Sequence, residues 1–409
     1  MKNKKILYLL ILVLFISCKS NDVEEIITAP QPVLGSEIFL KNVDDSFTFC
    51  VIPDTQRYFH NALQNDRHKS YPINHYEIGN RHMQWIAKNS EKNGGDIAFA
   101  LMAGDIVNNH RWFPSEWKYA DKAFSILDDE IPYLLVMGNH DTDDVWPSIT
   151  NSYNVSGSKN FIKYFGPNSK HFKNKKINGG FYKKGSSSWQ IFNGAGTNFL
   201  VIGLEFEPTD SVLSWAQQVI NDHPTLPVIL ITHSYIDIYN ELPVEYEKYQ
   251  EAKKIPKDLI EEIELLKNQK GKALLTSMHN HNPNSDHNSG KDIFNKFVKV
   301  NKNIFLVLCG HCFDGNEGEN HRIDFNDEGY PVYSFLADYQ GRNQLYKVFN
   351  MKQKTKASGD GWLRLMTMDM KNKTLHIQTY STEFHCFEKD SDSEFFIQFD
   401  WDWDERFSN

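Results

Sequence analysis

Cysteine is scarce, with five in 409 residues, too few for the disulfide framework that holds small secreted domains together. Cationic blocks are missing as well. Acidic side chains outnumber Lys and Arg by 53 to 44, a formal charge of −9. Without a sustained Lys/Arg run the chain has little to neutralise a phosphate backbone, so no nucleic-acid partner is expected. No segment repeats at a period of roughly 20–50 residues, which argues against solenoids and propellers. Past the N-terminus no apolar run reaches the roughly 20 residues needed to cross a bilayer. The remaining composition, 40% apolar and 13% aromatic, is that of a globular chain able to bury a large core in one big or two medium domains.

The first residues read as an address. Lys2, Lys4 and Lys5 precede an apolar run from Ile6 to Ile16, closed by Ser17-Cys18. A basic start, a short apolar stretch and a small residue before the cut are the parts of a secretory signal. The Ser17-Cys18 junction resembles a bacterial lipobox, with Phe15 where Leu is usual. That resemblance implies removal of residues 1–17 and a lipid such as palmitate on Cys18. It also implies a place in the bacterial cell envelope, on the outer membrane. Residues 18–45 carry Asp22, Glu24 and Glu25 and are broken by Pro30 and Pro32, which suggests a flexible acidic linker. The folded domain is expected over 46–400, with 401–409 as an acidic tail.

Within that domain one arrangement recurs. Phe47–Ile52 runs into Asp54-Thr55-Gln56, and Ile97–Ala103 into Gly104-Asp105. Tyr133–Met137 runs into Gly138-Asn139-His140-Asp141, Val228–Ile231 into Thr232-His233, and Ile304–Cys309 into Gly310-His311. Short apolar runs bounded by Gly, Pro and Asp predict buried strands. Helix-like stretches alternate with them at Arg81–Lys92, Glu116–Asp129, Val212–Asp222, Lys257–Lys270 and Asp292–Val300. That alternation predicts an α/β architecture, in which ligands gather beyond the strand carboxyl ends. One polar residue after a strand is ordinary. Five in succession, offering carboxylate, amide oxygen and imidazole, make a donor set for divalent metals.

In this order the motifs resemble the calcineurin-like metallophosphoesterases, in particular a secreted bacterial lipoprotein branch. Gly138-Asn139-His140-Asp141 is the most specific of them. The resemblance implies a four-layer αββα sandwich, its C-terminal strands (Trp362–Met368 and Thr374–Tyr380) joining the second sheet. It implies two divalent ions, drawn from Mn, Fe, Zn or Mg, that share Asp105. Asp54 and Asp105, with Gln56 as a further candidate, would hold the first; Asp105, Asn139, His233 and His311 would hold the second. A hydroxide between the ions would attack a phosphate mono- or diester, small or polymeric. His140 would protonate the leaving group, with Asp141 orienting its imidazole.

Two positions depart from the pattern. Asp54-Thr55-Gln56 stands for Asp-x-His, and Gly310-His311-Cys312-Phe313 for Gly-His-x-His. Both departures fall on the first ion. Three readings stay open: a first ion completed by water, a single-metal enzyme, or a catalytically silent binding lipoprotein on the same fold. Asp314 is a candidate replacement for the lost imidazole, and Cys312 a weaker one. Arg57, Tyr58 and His60 follow the first motif closely enough to approach substrate, and Asn109 follows the second. His279, His281 and His287 read as surface histidines, and Arg342 as half of a structural ion pair. Ala337-Asp338-Tyr339-Gln340 resembles a recurrent segment of the same secreted branch, without an assigned role.

Overall fold

A computed structural model describes residues 37–59, 75–143, 157–173, 178–240, 273–276, 286–315, 317–342, 359–398 and 403–407. The chain opens with β1 (Ser46–Ile52), β2 (Ile97–Met102) and β3 (Tyr133–Leu135), separated by α1 (His75–Lys88) and α2 (Ser115–Phe124). After α3 (Lys159–Phe165) come β4 (Gly179–Phe181), β5 (Ser188–Gly194) and β6 (Thr197–Leu204), then α4 (Asp210–Asp222) and β7 (Val228–Thr232). A small pair, β8 (Ile236–Asn240) and β9 (Ala273–Leu275), precedes α5 (Gly290–Ile293), which continues as a π-helical turn, Phe294–Val298. The rest is β10 (Ile304–Cys309), β11 (Glu319–Phe325), β12 (Pro331–Ala337), β13 (Trp362–Asp369), β14 (Thr374–Ser381), β15 (Cys386–Phe387), β16 (Glu394–Gln398) and α6 (Trp403–Phe407). The sequence-predicted helix Lys257–Lys270 lies outside the described residues. No helix among the described residues is long and apolar enough to cross a membrane.

Two seven-stranded sheets form the centre. One has the order β15-β14-β13-β1-β2-β3, with β16 also on β14; the other runs β11-β12-β10-β7-β6-β5-β4. Strands β2, β7 and β10 are buried at every position, as expected of parallel strands covered on both faces. Alternate side chains serve alternate layers. Phe99 and Leu101 of β2 meet Phe199, Ile229 and Phe305 of the other sheet. Ala100 and Met102 point the other way, onto Trp85, Trp117 and Phe124 of α1 and α2. Beyond the second sheet, Val212, Ala216 and Ile220 of α4 join Ile293 and Phe297 over Leu230 and Val307. The result is the four-layer αββα arrangement. The parallel pairs β1–β2, β2–β3, β6–β7, β7–β10 and β10–β12 bring the loops after those strands to one edge of each sheet.

Two expectations about the C-terminal part need correcting. The hairpin β13–β14 does not join the second sheet; β13 pairs antiparallel with β1, Phe49 opposite Met366. The reason is burial on both faces. Met366 and Met368 enter the core between the sheets, while Leu363 and Leu365 pack toward the helices, so the strand needs cover front and back and finds it beside β1. The supposed acidic tail also belongs to the core. Trp403 and Phe407 of α6 pack edge-to-face on Phe305 at 5.5 and 6.3 Å between ring centroids, and Arg406 donates to the carbonyls of Pro331 and Ile304. The domain therefore extends to 407. At the other end Ile38 and Leu40, placed in the linker from sequence, lie on α1: Trp85 Nε1 donates to Ile38 O, and the Leu40 amide to Asn89 Oδ1.

Truncating a buried aromatic leaves a cavity as well as lost transfer free energy. Trp403→Ala or Phe407→Ala is expected to cost about 3–5 kcal/mol in urea unfolding. A loss within a few tenths would mean that α6 does not seal the sandwich.

Candidate metal centre

The polar residues after β1, β2, β3, β7 and β10 meet at one end of the sandwich. Tight backbone approaches make this possible. A Cβ on Gly138 would strike the backbone and carboxylate of Asp105, and one on Gly310 the carboxylate of Asp54, so neither position has room for a side chain. Asp105 and His311 both adopt left-handed backbone, at φ 50° and 75°. That conformation is uncommon for residues with a Cβ and recurs at functional sites.

Four donor atoms converge there. His233 Nε2 lies 3.2 Å from Asp105 Oδ1, 3.0 Å from Asn139 Oδ1 and 3.1 Å from His311 Nδ1. The His233 ring is fixed by its other nitrogen, which donates to the Ala103 carbonyl at 2.8 Å, leaving the Nε2 lone pair turned inward. Adjacent ligands of an octahedral ion with bonds of about 2.1 Å stand about 3.0 Å apart, which matches these separations. One donor atom each of Asp105, His233 and His311 lies within 4.8 Å of the others. Two imidazoles, an amide oxygen and a carboxylate fit a divalent metal.

Charge favours a cation here. Burial would raise the Asp105 carboxyl, but His233, His140 and His311 together hold it well below the usual carboxylate range. Burial and the neighbouring His233 push His311 down to about 3. Asp54 is raised by burial and by the Asp338 and Asp105 charges. Burial chiefly takes Asp338 up to about 6. Burial thus keeps His311 neutral with a lone pair to give, and a cation beside Asp54 and Asp338 would offset the charge that burial penalises.

Not every expected residue has its expected contacts. Asp54 accepts from the His311 amide at 3.4 Å and from Gln340 Nε2 at 3.1 Å. Gln56 donates through Nε2 to Asp105 Oδ2 at 2.8 Å, while its buried Oε1 has no hydrogen-bond partner. Asp141 needs correction: it does not hold the His140 imidazole directly. Its carboxylate takes the backbone amides of Ile106, Val107 and Gly138, pinning the loop after β2 against the 3-10 turn Asn139–Asp141. Burial and Asp105 raise it to about 7. His140 is oriented instead by the Asn108 carbonyl, 2.6 Å from Nδ1. Glu116, buried in α2, holds that loop in turn by accepting from the Asn108 and Asn109 amides.

The remaining candidates separate. Phe313 is 36% exposed. Asp314 is exposed and exchanges backbone bonds with Glu317. Cys309 and Cys312 are free thiols. Arg57 stands near Asp338 and Asp105, and its buried Nε has no partner. The Tyr58 hydroxyl is tied to Gly359 and Gly361, and Arg342 pairs with the buried Glu388 and Glu319. His287 bonds the Glu207 carbonyl; His60, His279 and His281 lie outside the described residues, as does Cys18. Two residues at the site had no role from sequence, Asp338 and Gln340. The signal was available, because β12 is a sixth apolar run that ends in a carboxylate.

A cation at this cluster must displace a proton from His233. Burial would lower that imidazole, but Asp105 and the Ala103 carbonyl hold it above the ordinary value of 6.5. The protonated form therefore competes at and below that pH. Mn²⁺ affinity, titrated calorimetrically, is expected to climb as the pH rises through the raised pKa of His233 and then level off. A flat or falling profile would contradict Nε2 as a ligand.

A family model described as Calcineurin-like phosphoesterase matches residues 47–312. The uncharacterized protein YvnB of Bacillus subtilis (strain 168) is 27% identical over 342 residues, covering 82% of this chain and 20% of its own length. The chain thus spans about a fifth of that relative. Among solved structures, a dimetal phosphatase from Danio rerio aligns with a TM-score of 0.41 at 10% identity, over 86% of this chain and 99% of that one.

Proposed function

We infer, on the premise that the chain belongs to the calcineurin-like phosphoesterase family, that it hydrolyses a phosphate mono- or diester at the cluster around Asp105. The observation that carries this is the set of inward lone pairs on Asp105, Asn139, His233 and His311, spaced as ligands of one ion. Divalent cations bound at the site supply a nucleophilic water at neutral pH and a sink for charge on the phosphoryl oxygens. Asp105 suits a shared position because Oδ1 faces His233 while Oδ2 faces Gln56.

His140 has the geometry of a general acid. Its Nδ1 proton is committed to Asn108, so when the ring is protonated Nε2 is the nitrogen with a proton to give. That nitrogen lies 4.0 Å from Asp105 Oδ2 on a side chain that is 34% exposed, beside the ligands but open to a substrate. Donation from Nε2 to the departing alkoxide would offset the charge left as the P–O bond breaks. Asp141, through the amides it clamps, acts as a positioning residue.

We further propose that residues 1–17 direct export and that Cys18 is lipidated, anchoring the domain in the bacterial cell envelope. The support is the basic, apolar and Ser17-Cys18 sequence pattern. The substrate would then be an ester met outside the cytoplasm. Cys18→Ala is expected to move the protein from the detergent phase to the aqueous phase on Triton X-114 separation. Unchanged partition would sink the anchor.

Activity is tested with purified protein, Mn²⁺ and aryl phosphate mono- and diesters. Asp105→Ala is expected to lose both turnover and metal. His140→Ala should keep its metal while kcat falls by about 10²–10⁴-fold. Metal-replete wild type inactive on both ester classes would favour the silent binding lipoprotein, the reading that Phe313 supports.

A further inference from the structure

The loop after β2 and the turn after β3 hold His140, and with α3 they also wall a hollow beside it. A cavity of about 300 Å³ lies between them, bordered by His110 and Arg111 on the loop, Trp117 on α2, Asp143 after the turn, and Lys163 and Tyr164 on α3. That volume is at the lower end of small-molecule sites. Its walls are the flanks of the general acid. His110 Nε2 donates at 2.7 Å to the carbonyl of Thr142, two residues beyond His140. The Asn108 carbonyl that meets His140 Nδ1 belongs to the same loop as Arg111. His140 is near enough for its charge to act on His110. A group bound in the hollow therefore stands on the side of His140, where the alcohol of an ester would depart.

The polar groups around this cavity are mostly donors. Arg111 sits on a turn closed by the Trp112 and Phe113 amides, which donate to the Asn109 carbonyl at 3.1 and 3.0 Å. Lys163 Nζ stands over the Tyr164 ring, 4.9 Å from its centroid. Neither cation forms an ion pair among the described residues. The Asp143 carboxylate is already occupied: it accepts from the Lys159 and Asn160 amides at 2.8 and 3.0 Å, and from Asn160 Nδ2 at 2.9 Å. A separate observation points to an acceptor. Trp117 is 1% exposed, and its indole Nε1 has no hydrogen-bond partner. An indole N–H can only donate, and buried donors are normally satisfied. Two cations and an unanswered N–H thus border one hollow whose carboxylate is spent on the backbone. The complement of that set is an anion.

We propose that this cavity receives the alcohol part of the ester and selects alcohols that carry an anionic group of their own, a carboxylate or a phosphate. Arg111 and Lys163 are the specificity residues, and Trp117 supplies a donor from the core. The reacting phosphoryl group stays at the Asp105 cluster while the second anion is held beyond His140. This inference rests on the phosphoesterase reading, but binding reads it out as well as turnover, so the two can fail separately.

The full chain, loaded with Mn²⁺, is given 4-methylphenyl phosphate and its 4-carboxymethyl and 4-phosphonomethyl counterparts, each also as the methyl diester. kcat/KM is expected to favour the anionic esters by about tenfold or more, the scale of one hydrogen bond to a charged group. The larger preference tells carboxylate from phosphate. Arg111→Ala and Lys163→Ala should each shrink this ratio, the double variant should abolish it, and Arg111→Lys should keep part of it. Both side chains are exposed, so circular dichroism is expected to show folded variants. A ratio between esters is also not moved by a general loss of activity. Turnover without preference, or a preference that survives in the double variant, would overturn the proposal and leave the phosphoesterase reading standing. Should no ester be turned over, the same esters are titrated calorimetrically. Tighter binding of the anionic ones, lost in the double variant, would keep the cavity assignment and overturn the phosphoesterase reading; equal or absent binding would overturn both.

Discussion

Everything at the active end depends on donor atoms of Asp105, Asn139, His233 and His311 turned toward one another. His233 and His140 each spend one ring nitrogen on a main-chain carbonyl, which fixes the face that the other nitrogen presents. Asp105 is held by the His140 amide, and its neighbours in the chain by Asp141. In a medium of low dielectric such an assembly repels itself unless it is hydrogen-bonded or neutralised. The backbone supplies part of that compensation through amides aimed at Asp54, Asp105 and Asp141. The rest calls for a cation, and the donor types decide which cations suffice.

The sandwich provides the rigidity this requires. Parallel pairing through β1–β2–β3 and through β6–β7–β10–β12 directs the successive loops to a common edge. Apolar side chains on both faces lock each strand in register, because a slip of one residue would turn Phe99 and Leu101 out of the inter-sheet core. The left-handed backbone at Asp105 and His311 is held by that packing. Side chains set on strand ends are better fixed than side chains on free loops, which suits a site whose donors must stay within tenths of an ångström.

Much of this was legible in the order of residues, and the failures have physical causes. Buried parallel strands are recognisable because their apolar runs are short and unbroken, so the polar residue after each stands out. Asp338 follows the same rule, but its segment gets no role from sequence because β12 comes after the hairpin strand β11 and outside the familiar motifs. Asp141 was misassigned because adjacency to His140 suggested contact, whereas the 3-10 turn sends the carboxylate back to the amides of residues 106, 107 and 138. Acidic neighbours masked α6; Trp403 and Phe407, four apart on one helical face, were the better signal. The partner of β13 could not be read locally, since alternation reveals two buried faces but not which strand lies alongside. The orientation of Gln56 is likewise a property of assembled surroundings.

The pairing of residue 46 with residue 369 bears on how the molecule comes into being. A strand from the start of the domain waits for one from near its finish, so the first sheet cannot be completed while the chain is still being made. Contacts so distant along the chain slow folding, because a long loop must close before any of them forms. Until then β1 has one edge bare, an invitation to pair with another chain. The nascent polypeptide would thus depend on chaperones to stay apart from its neighbours.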